Sequence, residues 1–151
     1  MARNKHFEKV VDWEAALDFI DFKPRQPSFT AGFKLSKLAV FVMDHRKRRL
    51  PTSARSLEAH YSSFVIDQKR WPSVEEARRR ALATPYGRDA ATVHLCSNEG
   101  RSYALGPEVE PDDIDGRSPA VVVWHEDNIV YLVASSQLES DTLLRIASSM
   151  Y

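Results

Sequence analysis

A chain of 151 residues, 43% hydrophobic and 28% charged, is long enough to bury one sizeable core, and it sits too near the globular average to be a disordered tail or a low-complexity fibre. Its 21 Lys and Arg balance its 21 Asp and Glu, and a single cysteine, Cys96, excludes an internal disulfide or a multi-thiolate zinc site. No apolar run, residues 120–124 included, comes near the ~20 residues of a membrane span. The first 19 residues hold acids and a tryptophan where an export signal needs a continuous apolar stretch, so the chain as written is expected in the cytoplasm.

Val10, Trp13, Leu17 and Ile20 recur at spacings of three and four, which predicts a helix over 10–22 that ends before Pro24. Residues 23–33, punctuated by Pro24, Pro27 and Gly32, read as an extended connector. Residues 37–45 are apolar on both faces at their centre and predict a buried strand; 46–55 form a polar loop. A second strand covers 57–69, with a change of parity at Ser62–Ser63 that suggests a β-bulge. Ser73 followed by Glu76 is a capping box and opens a short helix over 73–83.

Residues 92–96 and 101–106 predict a hairpin, and 108–117 an acidic loop. The valine-rich segments 120–127 and 129–136 are two strands joined by a tight turn. Residues 140–151 form a closing helix capped by Ser140. Short links favour antiparallel pairing. The expectation is a single α+β domain over 1–151: a predominantly antiparallel sheet of about six strands, with N- and C-terminal helices packed on one face. Its core is assigned to Trp13, Leu17, Leu38, Val40, Val42, Phe64, Val121, Val123, Tyr131, Val133, Leu143 and Ala147.

The net charge of zero conceals an asymmetry. Residues 1–80 carry 17 Lys and Arg against 10 Asp and Glu, while residues 81–151 carry 4 against 11. Halves of opposite sign suit either a basic surface for an anionic partner or two parts of one sheet that attract each other.

Motifs for chemistry are sparse. His94 and Cys96 lie two apart on a predicted strand, and His125 is the nearest third ligand, but no metal-binding spacing occurs. There is no nucleophile elbow, no phosphate-binding glycine loop, and no calcium loop among the acids at 108–115. Cys96 reads as a small core side chain, and His60 and His125 as ordinary strand or hairpin residues. Arg78, Arg79 and Arg80 spread around their helix and cannot face one ligand. The loop Arg46–Arg49 suits phosphates, although the absence of interleaved aromatics or a helix-turn-helix pattern argues against nucleic acid.

Gly116, a strand ending in Trp124, a tight turn, a strand with Tyr131, and the run Leu143–Ser149 follow one another at the C-terminus. With the connector residues Phe22, Pro24 and Pro27 and the strand residue Tyr61, this order resembles a bacterial extracytoplasmic domain of some anti-sigma factors and related lipoprotein-carrier-like sensor modules. The resemblance implies a curved antiparallel sheet with helices packed on it, serving as a sensing or binding surface. It implies a place outside the membrane if the sequence is part of a longer protein, and it transfers no catalytic residue.

The function expected is therefore a non-enzymatic binding or regulatory module for an unknown protein or small ligand, without metal or cofactor. The alternative is a small enzyme or ligand carrier with a pocket between sheet and helix, built from His94, His125 and Cys96, and after it a nucleic-acid-associated protein acting through Arg46–Arg49. Arg46, Lys47, Arg48 and Arg49, with Glu108, Glu110, Asp112, Asp113 and Asp115, are the expected partner-binding residues, because polar loops outside periodic stretches are where binding groups concentrate.

Overall fold

A computed structural model describes residues 8–83, 89–96, 98–110, 112 and 116–151. Eight strands and three helices alternate along them: β1 (Glu8–Val10), α1 (Trp13–Ala16), β2 (Leu35–Phe41), β3 (Ser56–Tyr61), β4 (Val65–Arg70), α2 (Val74–Leu82), β5 (Ala91–Leu95), β6 (Asn98–Tyr103), β7 (Ala120–Glu126), β8 (Ile129–Ser135) and α3 (Ser140–Ser148). The strands form one sheet in the order β1-β2-β3-β4-β8-β7-β6-β5, every neighbouring pair antiparallel. The first four strands and the last four are each a run of neighbours, and they meet at a β4–β8 seam. The basic half of the sequence thus becomes one half of the sheet and the acidic half the other.

The architecture is the expected α+β with an antiparallel sheet, but with eight strands rather than about six. Two segments account for the difference. The parity change at Ser62–Ser63 is a turn and not a bulge: the Tyr61 N–H donates to the Phe64 carbonyl at 2.9 Å, and the segment 57–69 becomes the hairpin β3–β4. The start of the expected helix 10–22 is instead a strand, since Val10 pairs with Ala39 and the Val11 N–H donates to Leu38. Asp12 then caps α1, its carboxylate accepting from the Ala15 N–H at 2.7 Å. After Ala16 the backbone bonds shorten to the three-residue kind, from Leu17 to Glu14, Asp18 to Ala15 and Phe19 to Ala16. Half of the periodic stripe is consequently out of the core: Val10 is 61% and Leu17 51% exposed.

The N- and C-terminal helices, α1 and α3, share one face as expected, while α2 lies on the other. Alternation puts Val122 and Trp124 on the side packed by Leu143, Ile146 and Ala147 of α3, and Val121 and Val123 on the side packed by Ala77 and Ala81 of α2. A strand buried on both faces reads as a continuous apolar run, which is why residues 120–124 carry no polar alternation. The Ser73 hydroxyl accepts from the Glu76 N–H at 3.1 Å and caps α2 as the capping box predicts. At α3 the cap position belongs to Glu139, with Ser140 the first helical residue. Of the expected core, Leu38, Val40, Phe64, Val123, Tyr131, Val133, Leu143 and Ala147 are buried; Trp13, Val42 and Val121 are half-buried at its margin, and Leu17 lies outside.

One row of directly paired residues crosses the seam: Val40, Leu57, Gln68, Tyr131 and Trp124, all buried on the α3 face. Gln68 is the polar member of that row, and it marks the place where the connector crosses the sheet.

Candidate functional site

The connector after α1 is a strap across the α3 face. Gln68, with no exposed surface, grips it at Arg25: the carboxamide oxygen accepts from the Arg25 N–H at 2.8 Å, and its NH2 donates to the Arg25 carbonyl at 2.7 Å. From the next residue on, the strap pairs with the segment after α3. Gln26 and Tyr151 exchange both backbone hydrogen bonds at 3.0 Å, Pro27 bridges Met150, and the Ser28 N–H donates to the Ser149 carbonyl at 3.1 Å. A proline at 27, having no N–H, leaves those pairings intact.

Between this strap and the ends of β4, β8 and β7 lies a groove of about 640 Å³. Asp21, Lys23 and Arg25 line one wall, Arg70, Glu126 and Ile129 the other, with Tyr131 and Tyr151 contributing aromatic surface. Arg25 reaches across it. Its guanidinium pairs with the Glu126 carboxylate, lies 5.3 Å from the centre of the Tyr131 ring, and is 3.8 Å from the Cys96 sulfur. Tyr131 is in turn stacked on Trp124 with centroids 5.3 Å apart. Burial lowers the Arg25 pKa, but Tyr131 and Glu126 beside it more than offset this and leave it raised. Burial pushes the Tyr131 phenol up to about 12, against the opposing pull of Arg25.

The second arginine of the groove is held in the same manner. Arg70 Nε donates to Asp21 Oδ1 at 3.0 Å and one guanidinium NH2 to the Asp21 carbonyl at 3.1 Å, while the other donates to Asn128 Oδ1 at 3.0 Å. Asn128 is fixed by its own donation to the Trp71 carbonyl at 2.9 Å. Both cations are thus aimed by buried or backbone groups, and both have a carboxylate partner that an incoming ligand can replace. Lys23 is exposed at the mouth.

The residues singled out in the sequence lie elsewhere. Arg46, Lys47, Arg48 and Arg49 form the exposed tip of the β2–β3 connection, and Glu108, Glu110 and Asp112 are exposed on the β6–β7 connection; Asp113 and Asp115 lie outside the described residues. Strand directions put the basic tip and the acidic loop at opposite ends of the strands, with β4 and β8 between the strand pairs that carry them, so they do not form one surface. His94 and His125 are not on neighbouring strands: β6 separates β5 from β7. His94 is exposed, whereas His125 is buried with Nδ1 3.1 Å from the Asp127 carbonyl. Cys96 is no core side chain; it is exposed in the β5–β6 turn with a φ of 51°. Among the described residues no group of three His, Cys, Asp or Glu is placed to hold a metal ion.

The groove itself was missed in the sequence because its wall is a segment without periodicity. The one usable signal was a charged Arg25 framed by Pro24 and Pro27 beside a buried glutamine in an otherwise apolar strand face. Neither a protein-family model nor a curated protein matches the chain.

Proposed function

We propose that the protein is a non-enzymatic binding or regulatory module whose ligand lodges in the groove between the strap and the strand ends. The observation that carries this reading is the Arg25 arrangement: a guanidinium laid over an aromatic ring, paired with a half-buried carboxylate, on a backbone held at both polar groups by Gln68. Such a groove offers opposed charges and aromatic surface in a fixed geometry, which suits a small polar ligand or a charged side chain of a partner. The resemblance of residues 115–151 to extracytoplasmic sensor-like domains supports the same class. In this reading the exposed Arg46–Arg49 tip and the acidic residues Glu108, Glu110, Asp112, Asp113 and Asp115 serve as further contact surfaces.

The test is a thermal-shift screen of charged metabolites and short charged peptides, because a ligand that binds only the folded state raises Tm. Hits are expected to vanish in Arg25→Ala and Glu126→Gln. A screen whose hits all survive both substitutions overturns the reading. Hits lost instead in His94→Ala or His125→Ala would transfer the function to the enzyme or ligand-carrier alternative.

A further inference from the structure

The β2–β3 connection is a narrow ribbon whose tip carries four cations, Arg46 to Arg49, and one carboxylate, Asp44. Its hairpin closes by backbone bonds from Asp44 to Arg48 at 2.9 Å, Lys47 to Asp44 at 3.0 Å and Leu50 to Val42 at 2.8 Å, with a bridge between Met43 and Arg49. Asp44, the acid of the tip, is consumed inside it. One of its oxygens accepts the N–H groups of Arg46 and Arg48, both at 2.9 Å, and the other accepts Arg48 Nε at 2.9 Å. Lys47 sits at the apex with a φ of 61°. Arg46, Lys47 and Arg49 are left exposed, with no carboxylate in ion-pair range among the described residues.

Beneath the tip lies a second oddity. Arg55 is 4% exposed and is held by the carbonyls of Leu50 at 3.0 Å and Phe19 at 2.9 Å rather than by an acid. Burial and the charge of Arg49 lower its pKa. A fold that keeps like charges together at some cost, when the acids sit elsewhere, has a use for the concentrated charge.

We infer that this ribbon tip is a docking surface for the phosphate backbone of double-stranded nucleic acid, bound without regard to sequence. The inference rests on the reading of the tip as a contact surface. Shape and chemistry select the partner. The tip has no aromatic or exposed apolar anchor of the kind that carries protein interfaces, and its half-buried Val42, Met43 and Leu50 offer nothing to insert into lipid. Charge alone gives strong attachment only on a polymer with condensed counterions to release. A two-stranded ribbon fits the ~12 Å major groove, where cations on the apex and on one limb reach phosphates along its rim. This mode needs neither stacking aromatics nor a recognition helix, the two features whose absence spoke against nucleic acid in the sequence. The acidic half of the sheet, at the far corner, turns the basic end toward a polyanion during approach.

The experiment is fluorescence anisotropy of a labelled 20-base-pair duplex of mixed sequence, titrated with the full chain at 20 to 200 mM NaCl. With about three free cations engaged, the log–log slope of affinity against salt is expected near −3, at roughly −0.9 per phosphate contact. Replacing Arg46, Lys47 and Arg49 together with serine is expected to lower affinity at least tenfold and flatten the slope, with Tm unchanged. Arg78→Ser, on exposed α2, is expected to leave binding as it was. Absence of duplex binding at 20 mM NaCl, or equal loss in Arg78→Ser, overturns the proposal. So does tighter binding to polyglutamate or to vesicles containing phosphatidylserine, although in those two cases the tip remains a contact surface. A triple variant that keeps full duplex affinity overturns both.

Discussion

Gln68 shows how much one buried polar side chain decides. Placed among Leu57, Ile66 and Tyr131 it would be costly without partners, and both its donor and its acceptor are spent on Arg25. Gln68→Leu keeps the volume but strands the Arg25 N–H and carbonyl, so a loss of about 1–3 kcal/mol is expected. Amide exchange at Arg25 should accelerate in the variant; unchanged protection would show that the glutamine does not hold the strap. Gly100 is a second such position. A Cβ there would lie 2.5 Å from the Val123 carbonyl oxygen and 2.9 Å from Trp124 Cβ, so Gly100→Ala is expected to cost about 1–3 kcal/mol in chemical denaturation. Tyr131 gives the pH counterpart. Its native pKa of about 12 stands above the ~10 of an unfolded tyrosine, so the native state holds the proton more tightly. The stabilisation is full below pH 10 and is lost as pH rises toward 12, a span worth about 2–3 kcal/mol. Tyr131→Phe should abolish the last phenolate step at 295 nm and flatten stability over that window.

At the scale of elements, the sequence revealed those whose signal is local. The Ser73 cap of α2, the tight turn between β7 and β8 and the amphipathic run of α3 all depend on residues a few positions apart, and all are present. The failures are places where a distant partner overrides a local pattern. Val10 fits a helical stripe, yet β2 offers it a ladder partner in Ala39. The strap has no internal pattern, and what fixes it comes from Gln68 and from the chain around Met150, more than 40 and 120 residues away. Helix α3 invites a quantitative check. Leu143 is fully buried between it and the sheet, so Leu143→Ala should cost about 2–5 kcal/mol; a loss below half a kcal/mol would mean that the helix is not docked on β7 and β8.

For the whole molecule the charge asymmetry has a plain structural form: a basic meander and an acidic one joined along β4–β8. Direct ion pairs contribute little to that union. Lys37–Glu8, Arg48–Asp44, Arg70–Asp21, Arg79–Glu75 and Arg101–Glu99 each stay within one half, while Arg25–Glu126 joins the two. The seam is held by its ladder and by apolar burial, with a diffuse attraction superposed. Raising NaCl from 10 mM to 1 M shortens the screening length from about 30 to 3 Å, and is expected to lower stability by no more than about 1 kcal/mol. A larger fall, measured by urea titration, would assign the seam to electrostatics. No helix among the described residues is long and apolar enough to cross a membrane.

The mirrored strand order also makes the chain divisible. Each meander is contiguous in sequence, and every link between them is non-covalent apart from the single passage from α2 to β5. Cutting that passage would leave two polypeptides, 1–83 and 84–151, each with one raw edge (β4 or β8) and an opposite net charge. The first would also bring α2 and the strap, which close over β6–β8 and the segment after α3. Such pieces recognise each other by the same register that Ile66–Val133 and Gln68–Tyr131 define within the intact sheet. Mixed in solution, they should reassemble into one fold with a melting point that rises with concentration, so that the protein doubles as a split reporter of whatever brings its halves together.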